Sequence, residues 1–302
     1  MIIETFTTIT GAVFVQPLLR ETVMNSNDKK RPIGVFDSGL GGLSVLKKAL
    51  ELMPCENFIY YGDSLNAPYG TKSLEEVREL VKHVTDHLFE RGVKGLLIAC
   101  NTATSAAVRQ LRENNPQFPV VGIEPAVKPA ALKHQGKRIL VLATENTLKE
   151  SKFKALQAQY EHMADIIKVP CSGLMEFVEN GEMEGERVEA FLSDTLKSYL
   201  LPGTEAIVLG CTHYPFLKKS ILKVAGDIDI FDGSLGTARE LKRRIEEKGM
   251  LSESRAGGIL EVINSAEDER LFFHNENGRM IPDTEPSGRL SQLTVKLLNM
   301  EI

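Results

Sequence analysis

The sequence predicts an α/β fold made of two similar halves, each a parallel sheet covered by helices. Three observations carry that expectation. Strand and helix patterns alternate from Arg31 onward, the signature of parallel strands joined through helices. Matching features also recur at a nearly constant spacing. The strand that opens the first half ends at Asp37-Ser38 and its counterpart at Thr144, while Cys100-Asn101-Thr102 closes one strand and Cys211-Thr212-His213 another. Finally, the chain has 302 residues, and at ~150 residues per domain that gives about two domains.

Ile33 to Phe36 is a short apolar run and reads as the first strand. A glycine-rich turn follows, then Leu43, Leu46 and Leu50 at helical spacing. Asn57 to Tyr61 reads as the second strand. Ser73-Leu74-Glu75-Glu76 is a capping box, and Val77, Leu80, Val81, Val84 and Leu88 continue that helix until Gly92 stops it. Gly95 to Ala99 is a buried strand ending at Cys100, Ala103 to Arg112 a helix and Val120 to Ile123 a strand. After Pro129 the rhythm resumes with a strand from Arg138 to Ala143, a helix from Leu148 to Tyr160 and a strand from Ile166 to Val169. A helix from Gly185 to Leu201 is closed by Pro202-Gly203, and a strand from Ala206 to Gly210 ends at Cys211. Tyr214 to Val224 reads as a helix, Asp227 to Phe231 as a short strand and Ser234 to Lys248 as a helix. Beyond Leu251 one apolar strand stands out, Ile259 to Ile263, and the signal then weakens. The expected division is residues 1–30 as an N-terminal extension, 31–125 with 235–302 as a first α/β domain with a C-terminal tail, and 126–234 as a second.

Composition narrows the function classes. Hydrophobic residues make up 42% and charged residues 25%, the usage of an ordinary globular protein. With 36 basic and 41 acidic side chains the net charge is −5, and no long Lys/Arg run exists. This makes the chain a poor candidate for a general binder of nucleic acid or anionic membranes. No run of eighteen apolar residues is present, so no membrane span is expected. The leading segment is apolar and threonine-rich, but it carries Glu4 and no basic stretch, so a signal peptide is not expected. A misassigned start or a docked extension both account for it. The cysteines Cys55, Cys100, Cys171 and Cys211 are too far apart for a CxxC redox motif or a local zinc knuckle, and free thiols are expected.

Two of these thiols stand apart. Cys100 and Cys211 each end a strand and precede a helical pattern, and a helix start lowers a thiol's pKa. Their matched placement suits a reaction with one thiol on each side of a substrate carbon. Read singly, each is also consistent with a small buried hydrophobe. Asp37-Ser38-Gly39-Leu40-Gly41-Gly42 invites a dinucleotide reading, but Ser44 occupies the third glycine position and Asp37 would repel a pyrophosphate. Pro68-Tyr69-Gly70 is a loop or a simple turn. His213, two residues from Cys211, is placed to act as base or hydrogen-bond donor toward that thiol. Glu179, read alone, is a solvated acid at a helix end.

Together, the Asp37-Ser38-Gly39-Leu40-Gly41-Gly42, Pro68-Tyr69-Gly70, Ala99-Cys100-Asn101-Thr102-Ala103-Thr104 and Gly210-Cys211-Thr212-His213-Tyr214-Pro215 segments resemble, in content and order, the motif set of the glutamate racemases. The similarity runs from about Ile33 to about Asn264. The Cys-Asn-Thr and Gly-Cys-Thr pair alone indicates the wider aspartate/glutamate racemase superfamily, and the His-Tyr-Pro continuation points to the glutamate branch. The resemblance implies two α/β domains related by pseudo-twofold symmetry with the active site in the cleft between them. It also implies a racemisation of glutamate that needs no cofactor and no metal and uses two bases. Cys100 and Cys211 match the family's catalytic cysteines, and Asp37 and His213 the polar residues beside the first and second thiol. Glu179 matches a further acid near the second, although Cys171-Ser172-Gly173-Leu174-Met175-Glu176-Phe177 departs from the usual Pro-Leu-rich version. Asp37, Ser38, Tyr69, Gly70, Asn101, Thr102, Thr144, Thr147, Thr212 and His213 match substrate-binding positions. Asp63-Ser64-Leu65-Asn66 differs from the commoner loop and receives no role. The resemblance further implies a cytoplasmic homodimer that supplies D-glutamate for peptidoglycan. An aspartate or hydantoin racemase is disfavoured by Thr212-His213, and a noncatalytic binding protein on the same scaffold by the presence of both thiols.

Overall fold

A computed structural model describes residues 28–302. The expected N-terminal extension therefore falls, over residues 1–27, outside the described residues. The first run comprises β1 (Ile33–Asp37), α1 (Leu43–Leu52), β2 (Phe58–Gly62), α2 (Leu74–Glu90), β3 (Gly95–Ile98), α3 (Asn101–Asn114) and β4 (Val120–Gly122). β1 and β3 are buried along their whole length, which is why they read as unbroken apolar runs and not as alternating ones. The capping box at Ser73 is formed, with Ser73 and Glu76 satisfying each other's N–H groups.

The second run comprises α4 (Val127–Lys133), β5 (Arg138–Ala143), α5 (Glu145–Lys149), α6 (Ser151–Tyr160), β6 (Asp165–Pro170), α7 (Leu174–Glu179), α8 (Glu186–Leu196), β7 (Thr204–Leu209), α9 (Lys218–Ala225), β8 (Asp229–Asp232) and α10 (Ser234–Glu247). The single helix expected from Leu148 to Tyr160 is interrupted, because Glu150 takes an extended conformation between α5 and α6. The segment after Cys211 opens as a 3-10 turn, Tyr214–Leu217, before α9 begins. Pro215 supplies no N–H to an α-helical ladder there.

The strands form two sheets, one ordered β6-β5-β7-β8 and all parallel. The other contains β2-β1-β3-β4, the same order one repeat earlier. The expected two-sheet α/β architecture with a repeated half is thus observed. The expectation of purely parallel sheets is corrected at one edge. β9 (Leu260–Asn264) pairs parallel to β2, but β10 (Glu267–Glu276) and β11 (Arg279–Pro282) continue antiparallel, and α11 (Arg289–Asn299) ends the chain. The tail carries three strands and a helix where the sequence reading saw one strand. β10, paired between β9 and β11, buries only alternate residues such as Leu271 and Phe273. α10 packs on α1 and on the β4 edge, so the chain returns to the first sheet after the second is complete. We call the seven-stranded sheet with its helices the first lobe and the four-stranded sheet with its helices the second.

One apolar core runs without a break from the first lobe, through Leu40, Leu43 and Tyr60, into the second, through Leu140, Leu209 and Phe216. It fixes the carboxyl ends of β1 and β3 opposite those of β5 and β7. No helix among the described residues is long and apolar enough to cross a membrane.

Candidate active site

In each sheet the site is built where strand order reverses, β1 beside β3 and β5 beside β7, the position at which open α/β sheets bind ligands. Asp37 ends β1, Cys100 follows β3, Thr144 follows β5 and Cys211 follows β7 after Gly210. Between them lies a cavity. Cys100, Asn101 and Thr102 border it from the start of α3, Ser38, Tyr69 and Gly70 from the first-lobe loops, and Thr144, Thr147, Cys211, Thr212 and His213 from the second lobe. Eleven of the thirteen expected site residues thus share one space. Asp37 and Glu179 stand behind its wall.

Cys100 is the N-cap of α3, and its sulfur accepts from the Ala103 N–H at 3.4 Å. A helix start was expected to lower this thiol's pKa. Instead burial, reinforced by the nearby Asp37 charge, pushes it up to about 12. Desolvation of the thiolate outweighs one backbone donor. Asp37 is fully buried; its carboxylate accepts from the Thr212 hydroxyl at 3.1 Å and from the Gly39 N–H at 3.1 Å. Burial raises its pKa above the ordinary carboxylate value, against the opposing charge of His213.

The Cys211 side is organised differently. His213 is buried, with Nδ1 3.7 Å from the Cys211 sulfur and Nε2 2.7 Å from Glu179 Oε1. Burial disfavours charge on this ring, but the hydrogen bonds to Cys211 and Glu179 overcome it and hold the pKa well above the ordinary histidine value. Burial likewise opposes ionisation of Glu179, yet the His213 contact and the Leu40 N–H, which donates to Oε1 at 2.7 Å, keep its pKa below the usual value. The acid read from sequence as solvated is therefore a part-buried partner of His213. The glycines of the first-lobe loop allow this approach. A Cβ on Gly39 would lie 2.3 Å from Glu179 Oε1, and one on Gly41 2.3 Å from His213 Nδ1.

Hydroxyls and amides complete the wall. Thr144 Oγ1 lies 3.0 Å from Thr147 Oγ1 and 3.5 Å from Thr102 Oγ1, which joins the lobes. Asn101 Oδ1 is buried without a hydrogen-bond partner among the described residues, so it is an acceptor open to a ligand donor. The cavity lining contains no Lys or Arg among the described residues. Two features escaped the sequence reading. Asp63, given no role, accepts from the Tyr69 hydroxyl at 2.6 Å and so holds Tyr69 against the cavity. Cys171, Ser172 and Gly173 form another part of the wall, with the Cys171 thiol pushed up by burial to about 12. Cys171 follows β6 as Cys211 follows β7, which was the available signal.

The profile of the Asp/Glu/hydantoin racemase family matches residues 38–241. A glutamate racemase of Clostridium perfringens is 52% identical over 250 residues, covering 82% of this chain and 96% of the relative. Among solved structures, the glutamate racemase of Francisella tularensis in complex with D-glutamate has a TM-score of 0.72 at 26% identity, covering 91% of this chain and 96% of that one. The Escherichia coli glutamate racemase, in complex with L-glutamate and the activator UDP-MurNAc-ala, has a TM-score of 0.67 at 32% identity, covering 72% and 83%.

Proposed function

The chain belongs to the Asp/Glu/hydantoin racemase family, in its glutamate racemase branch, and from that premise we propose that it interconverts L- and D-glutamate through two thiols, Cys100 and Cys211, without a cofactor. The observation that carries this reading is that the two thiols follow equivalent strands of two like sheets and border one cavity. A ligand filling that cavity meets a sulfur from each lobe.

The step asked of the pair is inversion at the α-carbon. One cysteine, as thiolate, takes the α-proton, and the C–H electron pair stays on carbon. The opposite thiol then gives its S–H proton to the other face, and its own electron pair stays on sulfur. Each turnover thus exchanges the protonation states of the two sulfurs, and reaction in the opposite sense restores them. Cys100, with its elevated pKa, starts as the protonated member, while the His213 imidazolium exchanges its proton with Cys211. Asp37 sits behind Cys100 and positions it through the loop it anchors. Proton transfer by positioned groups contributes ~10²–10⁴-fold, and fixing the substrate between them contributes part of the ~7–11 kcal/mol available from proximity. The backbone N–H groups at the start of α3 suit a carboxylate, with Ser38, Thr102, Thr144, Thr147 and Thr212 as hydroxyl partners. Asn101 Oδ1 suits the substrate ammonium. Tyr69 and Gly70 close the cavity from the first lobe. The family resemblance carries two further parts of the reading: D-glutamate goes to peptidoglycan synthesis in the cytoplasm, and the protein works as a homodimer.

Racemisation followed by circular dichroism in heavy water, without pyridoxal phosphate, tests the reaction. Deuterium is expected at Cα of the product, and Cys100→Ala and Cys211→Ala are each expected to abolish racemisation in both directions. Either variant racemising at near wild-type rate would sink the two-thiol assignment.

A further inference from the structure

The C-terminal helix has no part in the chemistry so far, yet it touches the machinery behind Cys211. α11 packs on α1, β10 and β11 of the first lobe. Two carboxylates of β10 fix its start. Glu267 accepts from the Leu290 and Ser291 N–H groups at 2.7 and 3.0 Å and from the Ser291 hydroxyl at 2.9 Å. Glu269 accepts from the Ser287 and Gly288 N–H groups at 3.1 and 3.0 Å. Carboxylates at a helix start satisfy its unpaired donors and its dipole. A Cβ on Gly288 would stand 2.2 Å from Glu267 Oε2, so the glycine admits the cap.

From this anchored start the helix reaches the second lobe. Arg289 donates to the main-chain carbonyl of Glu179 at 2.9 Å, and Lys296 donates to that of Gly181 at 3.4 Å. Both carbonyls lie at the C-terminal end of α7, where cations are favoured. Glu179 is the last residue of α7, and its carboxylate contacts Leu40 and His213. The contacts therefore form one line: β10 carboxylates, α11, the end of α7, His213, Cys211.

We propose that Arg289 is a positioning residue: by gripping the main chain of Glu179 it sets the carboxylate that aims His213 at Cys211, so that the C-terminal helix of the first lobe tunes the thiol of the second. The inference rests on the assignment of Cys211 as an acid–base group. It gives the tail a task in the reaction and separates the two thiols, since no part of this line touches Cys100. The charged groups facing Glu179 are His213 and Arg289, with Asp37 further off, and those facing His213 are Cys211, Glu179 and Asp37.

The test uses the full chain and both glutamate enantiomers. Arg289→Ala is expected to lower kcat about tenfold, short of the ~10²-fold cost of a 1 Å misplacement, with KM within about twofold. Arg289→Lys is expected to restore most of the loss. The primary isotope effect with α-deuterated substrate should rise in the direction in which Cys211 removes the proton and stay unchanged in the other, which general loosening would not produce. Glu267→Gln, which frees the start of α11 without touching the second lobe, should give the same one-sided signature more weakly and serves if Arg289→Ala does not fold. An Arg289→Ala enzyme with kcat within twofold of wild type, or a loss with equal isotope effects in both directions, overturns the proposal. If Cys211→Ala still racemises, the two-thiol reading has failed; if it is inactive while Arg289→Ala is normal, only the role of the helix has.

Discussion

Glu179 shares one carboxylate oxygen between the Leu40 N–H of the first lobe and the His213 ring of the second, and the charge on His213 depends on it. In Glu179→Gln one of the two partners that favour the imidazolium is gone, and burial, now opposed by Cys211 without Glu179, lowers the ring's pKa. We expect kcat to fall more than about tenfold, within the ~10²–10⁴-fold span of positioned acid–base groups. The sign of the pH effect follows from the wild-type shift. His213 is held protonated well above its ordinary value, so activity that needs the imidazolium persists to high pH in the wild type. In Glu179→Gln the alkaline limb of the kcat profile should move to lower pH, and an unmoved limb would refute the assignment. At this scale the thiols, His213 and the threonines were legible because they belong to short motifs at strand ends. The contact of Glu179 with His213 was not, because α7 gives no local sign of what it packs against. Asp63 and Cys171 were missed for a related reason: their relevance is a contact, to Tyr69 in one case and to the cavity in the other.

Among the elements, the loop from Asp37 to Gly42 is where sequence and packing agree most closely. Its glycines read as a tight turn, and the structure adds that their missing side chains make room for Glu179 and His213. Gly41→Ala puts a methyl group where the ring of His213 lies. Overpacking of this kind costs about 1–3 kcal/mol, and here the displaced group is the ring that contacts the Cys211 sulfur. We expect kcat to drop at least about tenfold with a modest decrease in Tm; full activity with His213 unmoved in a crystal structure would contradict it. The β10–β11 hairpin shows a signal that was present but unread. Asn277-Gly278 adopts positive φ at both residues, 52° and 86°, the conformation that a two-residue hairpin turn demands and Asn-Gly supplies. The break in α5–α6 left no such mark, since glutamate at position 150 is a good helix former and tertiary packing overrides it.

For the whole molecule, the alternation of elements and the spacing of the repeat were enough to give two like sheets facing one cavity, because burial on both faces leaves a strong apolar signature. What joins them to the rest was not legible. Lys94 and Glu56 form an ion pair with side-chain exposures of 1% and 3%, and neither stood out in the sequence. Glu56 also accepts from the Ser252 N–H at 2.6 Å, and Lys94 donates to the Lys29 carbonyl at 2.6 Å. The pair therefore ties the segment before β1, the α1–β2 loop, the start of β3 and the chain after α10 together. Removing one partner of such a pair leaves a buried unpaired charge and costs about 3–5 kcal/mol. Glu56→Ala should lower the urea midpoint accordingly with little change in KM, and a shift worth under 1 kcal/mol would show the pair to be dispensable.

The pairing of β9 with β2 bears on how the molecule is made. As the chain leaves the ribosome, the second lobe is complete once β8 has emerged, for all its strands are consecutive. The first lobe is not: the outer edge of β2 waits for β9, about two hundred residues later in the chain. Until then an apolar strand keeps a row of unpaired N–H and C=O groups, a template for pairing with other chains. The segment from β9 to α11 thus has a double duty, since it closes that edge and then delivers Arg289 to the back of the candidate site. A nascent chain is in this way least protected just before it becomes competent.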